Sequence, residues 1–184
     1  AIYNRFVFLQ NEQTINAINN LTGNSYKAED LLVMPEDVEY YSLMFSPSSH
    51  SVDLYSVGDC EEALSRPYKL YVFVNQYDLP NPNAIHERLR GSGKCALWLY
   101  APAYATEGHL RVSAIEKTTG IGVAEQSVSN GGMVYKDRLI DYGLDAPYFC
   151  VDDSRATPLA CFENGAVAVA SKELQGYRSA YAAT

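Results

Sequence analysis

Four polar residues, Asn11, Glu12, Asn75 and Tyr104, carry side chains suited to binding a small ligand. Amide and carboxylate groups exchange hydrogen bonds with sugar hydroxyls, and a tyrosine ring stacks on the face of a sugar. The two asparagines also fit a purely structural role, because asparagine caps helices and turns through nearby backbone groups. Two interpretations therefore stay open: a carbohydrate site if the four side chains converge, and local capping if they do not.

These four residues follow segments that the sequence predicts to be strands. Residues 6–9 form a short apolar run that predicts the first strand, and residues 70–74 form another. In an open parallel sheet, ligands bind beyond the carboxyl ends of neighbouring strands whose helices leave on opposite faces. If these two strands are neighbours, the loops at 10–14, 75–78 and 101–104 line one crevice.

The clearest pattern in the sequence predicts a strand, a helix and a second strand. Residues 70–74 and 95–100 are continuously apolar, which is the pattern of strands buried on both faces. Between them, Asn81 fits an N-cap, Pro82 fits the first helical position, and Gly91 fits the helix end. Two buried strands joined by a helix predict a right-handed crossover in a parallel sheet, with Trp98 in its core.

The flanking segments predict further helices and a β-rich last third. Helices are predicted at 58–64 and at 110–118, the latter with Leu110 and Ala114 facing inward; a third, at 31–45, is interrupted by Pro35. An edge strand is predicted at 51–56, and the remaining strands fall at 148–151, 158–162, 166–170 and 177–181. Asn164-Gly165 predicts a hairpin turn.

The four cysteines are spread singly along the chain, at positions 60, 95, 150 and 161. They show no spacing typical of a metal site, so buried thiols in a reducing compartment, such as the cytoplasm, are the favoured interpretation. Cys150 and Cys161 flank a predicted turn, and a disulfide between them stays open because spacing alone does not decide pairing.

Other polar groups predict neither a metal site nor a cofactor. His50, His86 and His109 are expected at the surface, and Asp152-Asp153 is expected to form a turn or cap at a strand end. No glycine-rich phosphate loop follows a strand, and the loop at 10–14 lacks the hydroxyl groups that FMN usually needs. We therefore expect no cofactor and no metal.

Length and charge limit the classes of partner. A chain of 184 residues with 47% hydrophobic content suits one domain spanning residues 1–184. Its formal net charge of −8 argues against nucleic acid and against an anionic membrane, because no basic run offsets the repulsion. No signal peptide or spanning segment is recognisable. Because the chain begins at Ala1, we expect it to be excised from a larger protein.

Several runs of the sequence carry a resemblance to a known family. They are Pro67 to Asn75, Gly93 to Tyr104, Thr119-Gly120-Ile121, Pro147 to Phe149, Pro158 to Ala160 and Ala168 to Leu174. The chain resembles the class I glutamine-amidotransferase-like domain attached to glycoside hydrolases, and it is similar to the trimerisation domain of family 42 β-galactosidases. This resemblance implies an α/β fold: a flavodoxin-like three-layer sandwich with a mostly parallel central sheet and a β-rich C-terminal part.

The resemblance also implies a role and partners. The glycosidase carboxylates would lie on a separate barrel, which this chain is too short to contain. The implied partners are the glycosidase barrel domain of the same protein, further copies of the chain, or both, with carbohydrate as a further candidate.

The amidotransferase chemistry itself is not predicted. It needs a cysteine on the sharp turn after a central strand, in a Gly-x-Cys-x-Gly arrangement. Here that turn runs from Tyr100 to Tyr104 without a cysteine, and Cys95 lies at the opposite end of the strand. We therefore predict no catalytic residue and a non-catalytic accessory domain. The alternative is a small hydrolase or a carbohydrate-binding domain that uses the loops at the carboxyl ends of the strands.

Overall fold

In the computed structural model of the chain, residues 2–3, 55, 59–74, 77–79, 81–106, 108–140 and 147–183 are described. Three helices lie within them: α1 (Cys60–Ser65), α2 (Pro82–Leu89) and α3 (Val112–Thr119). The strands are β1 (Ile2–Tyr3), β2 (Leu70–Val74), β3 (Cys95–Leu99), β4 (Ala105–Thr106), β5 (His109–Leu110), β6 (Val123–Gln126), β7 (Met133–Tyr135), β8 (Arg138–Ile140), β9 (Tyr148–Val151), β10 (Thr157–Phe162), β11 (Val167–Leu174) and β12 (Tyr177–Ala182). None of these helices is long and apolar enough to cross a membrane.

The main sheet mixes parallel and antiparallel strands. Its strand order is β1-β2-β3-β12-β11-β10-β7-β8, and β9 pairs with β11 and with β6 off this path. The pairs β1–β2, β2–β3 and β3–β12 are parallel. From β12 outwards every pair is antiparallel. The described part of the chain is therefore β-rich, with a parallel half and an antiparallel half that meet at β12.

This architecture corrects the predicted fold class. A flavodoxin-like three-layer sandwich with a mostly parallel sheet is wrong, because the antiparallel strands make up the larger share of the sheet. The physical reason lies in the connections. Tight turns at Asn164-Gly165 and Gln175-Gly176 join β10 to β11 and β11 to β12, and a tight turn joins only antiparallel neighbours.

The predicted strand–helix–strand unit is confirmed. β2 and β3 run parallel, with Leu70 opposite Cys95 and Phe73 opposite Trp98. Helix α2 connects them: Pro82 occupies its first turn, and the side chain of Asn81 accepts a hydrogen bond from the Ala84 backbone N–H. Local capping signals were sufficient here because a short helix is bounded by its own first and last turns.

One face of the sheet carries the main core. Phe73 and Trp98 lie in the same row of β2 and β3, are fully buried, and stack with their ring centroids 3.9 Å apart. Tyr181 continues that row into β12 and is also fully buried. The prediction that Trp98 anchors the core of a central strand is confirmed. On the opposite face, Val72 and Val74 form a second, smaller apolar cluster.

The remaining element predictions agree with the structure to different degrees. The strands of the last third and the Asn164-Gly165 hairpin are present, and β11 extends further than predicted. Helix α3 begins later than predicted, so Leu110 belongs to β5 and is 49% exposed instead of facing inward. The predictions at 6–9, at 31–45 and, apart from Tyr55, at 51–56 lie outside the described residues.

Candidate functional site

Tyr104 lies in the loop that follows β3, and its side chain is enclosed. The residue is 6% exposed, and its hydroxyl donates a hydrogen bond to Glu125 Oε2 at 3.1 Å. The ring meets Phe149 edge to face, with the centroids 5.1 Å apart. Burial, together with the neighbouring Glu125 carboxylate, raises the pKa of Tyr104 to about 12, so the phenol is neutral at physiological pH.

The three other residues of the predicted carbohydrate crevice, Asn11, Glu12 and Asn75, lie outside the described residues. Whether they converge with Tyr104 around one opening therefore stays a prediction.

The turn after β3 is held in an uncommon backbone conformation. Tyr100 has φ 64° and Ala103 has φ 60°, a region that costs energy for residues other than glycine. Hydrogen bonds hold Tyr100 in place: its N–H donates to the Ala182 oxygen at 2.7 Å, and its own oxygen accepts from the Tyr181 hydroxyl at 2.6 Å. Tyr100 is thus fixed to β12 by backbone and side-chain hydrogen bonds in a conformation that is uncommon for its residue type.

All four cysteines are free thiols, so the open alternative of a Cys150–Cys161 disulfide is not realised. Cys60 and Cys150 are buried as predicted, whereas Cys95 and Cys161 are half-buried. Burial, with a smaller effect from Glu61, raises the pKa of the Cys60 thiol to about 11. Burial also raises the pKa of Cys95 and of Cys150. A raised pKa disfavours the thiolate, so these three side chains are poor nucleophiles.

Asp153 forms the predicted turn and cap. Its carboxylate accepts hydrogen bonds from the backbone N–H groups of Arg155 at 2.9 Å and Gly122 at 3.2 Å. It also pairs with Lys172 Nζ at 2.6 Å, and its side chain is only 6% exposed. Burial alone would raise the pKa of Asp153, but the Lys172 and backbone hydrogen bonds outweigh it and lower the pKa to about 2. In the described residues, no group of three or more His, Cys, Asp or Glu side chains is arranged to hold a metal ion.

A second candidate site is a pocket between α2 and the β11–β12 turn, which we call the helix–turn pocket. Its volume is about 430 Å³, within the range of small-molecule sites. One wall is a stripe of α2 side chains at helical spacing, and the other wall is the turn. The pocket is lined by Asn83, His86, Glu87, Arg90, Leu174, Gln175 and Tyr177.

The backbone joins the two walls of the helix–turn pocket. Gly91 N–H donates to the Gln175 oxygen at 2.9 Å, and Gly93 N–H donates to the Gly176 oxygen at 2.9 Å. A Cβ atom added to Gly176 would lie 2.9 Å from the Gly91 Cα atom. The two backbone segments therefore approach each other as closely as glycine allows. Gln175 has φ 41°, an uncommon conformation for a residue with a side chain.

His86 and Tyr177 form a bonded pair in the pocket. His86 Nδ1 lies 2.6 Å from the Tyr177 hydroxyl oxygen, and Nε2 lies 3.3 Å from the Lys117 backbone oxygen. Burial lowers the pKa of His86 and raises the pKa of Tyr177 to about 12, so both are neutral at physiological pH. With Nε2 protonated, Nδ1 accepts a hydrogen bond from the tyrosine hydroxyl. His86, predicted to be solvated, is half-buried with both ring nitrogens engaged, whereas His109, in β5, is exposed as predicted.

Sequence reasoning missed the helix–turn pocket. Its only signal is the polar stripe on α2, which looks like the ordinary solvated face of an amphipathic helix. The opposite wall comes from a distant part of the chain, since His86 and Tyr177 are 91 positions apart. Nothing local in the sequence connects the two.

Comparisons with known proteins concern the fold. No protein-family profile matches the sequence, and no curated protein matches it. Among solved structures, the chain is similar to Gan42B, a GH42 β-galactosidase, with 17% identity and a TM-score of 0.61 over 92% of this chain and 26% of that one. A catalytic mutant of Gan42B from G. stearothermophilus gives 15% identity and a TM-score of 0.58, over 80% of this chain and 23% of that one.

A β-galactosidase from Bacillus circulans sp. alkalophilus gives 18% identity and a TM-score of 0.54, covering 86% of this chain and 26% of that one. The chain thus spans about a quarter of the length of these enzymes. At these identities the likeness establishes the fold and does not extend to an amidotransferase-like or flavodoxin-like type. The chain shares its fold with part of the GH42 β-galactosidases.

Proposed function

We propose that this chain is a non-catalytic accessory domain that supports the assembly of a glycoside-hydrolase-like protein similar to the GH42 β-galactosidases. The observation that carries the proposal is the extent of the fold likeness, which takes in 92% of this chain but only 26% of Gan42B. The matched part is about a quarter of Gan42B, which leaves room for a separate catalytic barrel in a protein of that length. The proposed partners are that barrel in the same protein, other copies of the chain, or both.

The chemistry of the described residues supports a non-catalytic role. The thiols of Cys60, Cys95 and Cys150 have raised pKa values, and the turn after β3 holds Tyr100 through backbone hydrogen bonds. Asp153, the most strongly perturbed carboxylate described, is engaged by Lys172 and by backbone N–H groups. These groups serve the stability of the fold.

The hairpin formed by β7 and β8 supports an assembly role. It lies at the end of the sheet path, and β8 pairs only with β7 among the described strands. Tyr135, Leu139 and Ile140 are 45%, 56% and 37% exposed. An edge strand with exposed apolar side chains is a common place for another chain to pair or pack.

The first test measures the oligomeric state and the activity of the chain. Analytical ultracentrifugation of the wild-type chain should show self-association, or complex formation with the catalytic barrel of its parent protein. Leu139→Asp should weaken that association, whereas Leu110→Asp, at a similarly exposed site on β5, should not. The chain alone should not hydrolyse a nitrophenyl β-galactoside. Hydrolysis by the isolated chain, or association that is insensitive to Leu139→Asp, would contradict the proposal.

A further inference from the structure

The helix–turn pocket plays no part in the proposed assembly role, and backbone hydrogen bonds hold its two walls together. Gly91 and Gly93 donate to the oxygens of Gln175 and Gly176, so the end of α2 is bound directly to the β11–β12 turn. Binding a small ligand to such a pocket requires little rearrangement, which lowers the entropic cost of binding.

An uncommon residue choice marks the turn. Both central residues have positive φ, 41° for Gln175 and 81° for Gly176. Turns of this geometry favour asparagine, aspartate or glycine at the first position. Glutamine there costs energy, yet it supplies a longer amide that lines the pocket. The turn thereby places the Gln175 side chain at the pocket.

The charges of the pocket-lining residues limit the classes of ligand that can bind. Arg90 is the one cationic residue among the pocket-lining side chains, and its guanidinium already pairs with Glu87 Oε1 at 2.8 Å. The Glu87 carboxylate would repel an anion. A metal ion is disfavoured because both ring nitrogens of His86 are engaged. The lining also has an apolar part, which includes Leu174, so an apolar face of a ligand can pack there beside the polar groups.

What the lining offers is a set of donors and acceptors without net charge. The amides of Asn83 and Gln175 both donate and accept, Glu87 accepts through its second oxygen, and Arg90 donates through its remaining N–H groups. A hydroxyl group both donates and accepts, so a ring bearing several hydroxyls matches this mixture. We infer that the helix–turn pocket binds a neutral carbohydrate of about monosaccharide to disaccharide size. The choice of a galactoside as the first probe rests on the proposed function.

The experiment is a titration of the isotope-labelled chain with methyl β-D-galactopyranoside, methyl β-D-glucopyranoside and inorganic phosphate, followed by amide NMR. Binding of a glycoside should shift the side-chain amide signals of Asn83 and Gln175 and the backbone signals of the Gln175-Gly176 turn. Arg90→Gln should weaken that binding about 10-fold, because hydrogen bonds from charged donors contribute more than neutral ones. Arg88→Gln, on the same helix but outside the pocket lining, is the matched control and should bind as the wild type does.

The Gln175→Asn variant distinguishes the contribution of the side chain to binding from its effect on the stability of the turn. Asparagine suits positive φ better than glutamine, so this variant should fold at least as stably while its shorter amide binds the glycoside more weakly. Phosphate binding without glycoside binding, shifts confined to another surface, or no glycoside binding would each overturn the inference. A preference for the glucoside over the galactoside would support the carbohydrate pocket and would count against the proposed link to β-galactosidases.

Discussion

The indole N–H of Trp98 donates a hydrogen bond to the hydroxyl oxygen of Ser179 at 3.1 Å, and both residues are fully buried. The same hydroxyl donates to the Thr119 backbone oxygen at 2.5 Å. Because Trp98 lies in β3, Ser179 in β12 and Thr119 at the end of α3, one serine links two parallel strands to the helix that covers them.

Replacing Trp98 should therefore be costly. Trp98→Ala removes the stacking on Phe73 and leaves a cavity, and it should lower the free energy of unfolding by about 3–5 kcal/mol. Trp98→Phe keeps an aromatic ring but loses the N–H donor, and it should cost less, about 1–3 kcal/mol. Urea unfolding checks both values. An unchanged midpoint for Trp98→Ala would contradict the position of Trp98 in the core.

Two neighbouring buried threonines should respond in opposite directions. Thr118 Oγ1 has no hydrogen-bond partner among the described residues, whereas Thr119 Oγ1 accepts from the Ile121 N–H at 3.1 Å. Thr118→Val removes an unsatisfied hydroxyl with little change of shape, so it should stabilise the fold by about 1–2 kcal/mol. Thr119→Val leaves a buried N–H without its acceptor and should destabilise by about 1–3 kcal/mol. Thermal unfolding of the two variants measures both effects. An equal loss of stability in Thr118→Val and Thr119→Val would contradict the different hydrogen bonding of the two hydroxyls.

The Asp153–Lys172 pair should govern part of the acid sensitivity. The pKa of Asp153 is lowered to about 2, below its unfolded value of about 3.9, so the folded state favours the carboxylate. Its contribution, about 2–3 kcal/mol, is complete above the unfolded pKa and is lost as the pH falls through the folded pKa.

Stability measured between pH 5 and about pH 2 should reveal this contribution. Asp153→Asn should lack this component of the acid loss and should also be less stable at neutral pH, because Lys172, 14% exposed, loses its counter-charge. Asp152→Asn alters an exposed neighbour and serves as the control. An acid branch that is the same in Asp153→Asn and in the wild type would exclude the pair as its source.

Alanine substitutions at two turn glycines distinguish the cost of a positive φ from the cost of a close atomic contact. Gly165 and Gly176 have φ values of 86° and 81°, but only at Gly176 would an added Cβ meet another atom closely, at 2.9 Å from Gly91 Cα. Gly165→Ala should cost about 1–2 kcal/mol for the positive φ alone. Gly176→Ala should cost about 1–3 kcal/mol more, because backbone must move. Chemical denaturation measures the difference, and equal costs would mean that the Gln175-Gly176 turn does not approach Gly91 as closely as described.

The parts that sequence reasoning predicted well are those set by neighbouring residues. Asn81 and Pro82 mark the start of α2 through local capping, and Asn164-Gly165 marks a hairpin. Strand order is different, because it depends on which distant segments pair. Nothing near Tyr177 indicates that β12 pairs in parallel with β3. The fold class taken from the resemblance assigned a mostly parallel sheet, whereas the strands from β12 outwards are antiparallel.

The candidate site was harder to predict for the same reason. The ring of Tyr104 was expected to be open to a sugar, but contact with Phe149 and Glu125 depends on strands β6 and β9, which come later in the chain. The helix–turn pocket needed knowledge that the Gln175-Gly176 turn reaches the end of α2. The sequence shows which side chains are able to bind a ligand, but it does not show which residues far apart in the chain lie close together in the fold.

The position of β12 has a consequence for how the protein is made. This strand joins the parallel half of the sheet to the antiparallel half, and it is the last element described along the chain. Its contacts with β3 link residues 81 positions apart, as in Trp98 and Ser179. On the ribosome, β2 and β3 would therefore emerge long before their neighbour exists, and the sheet would close only once Tyr177 to Ala182 had left the exit tunnel. Until then, the edge of β3 that β12 will cover stays unpaired and is open to pairing with other chains.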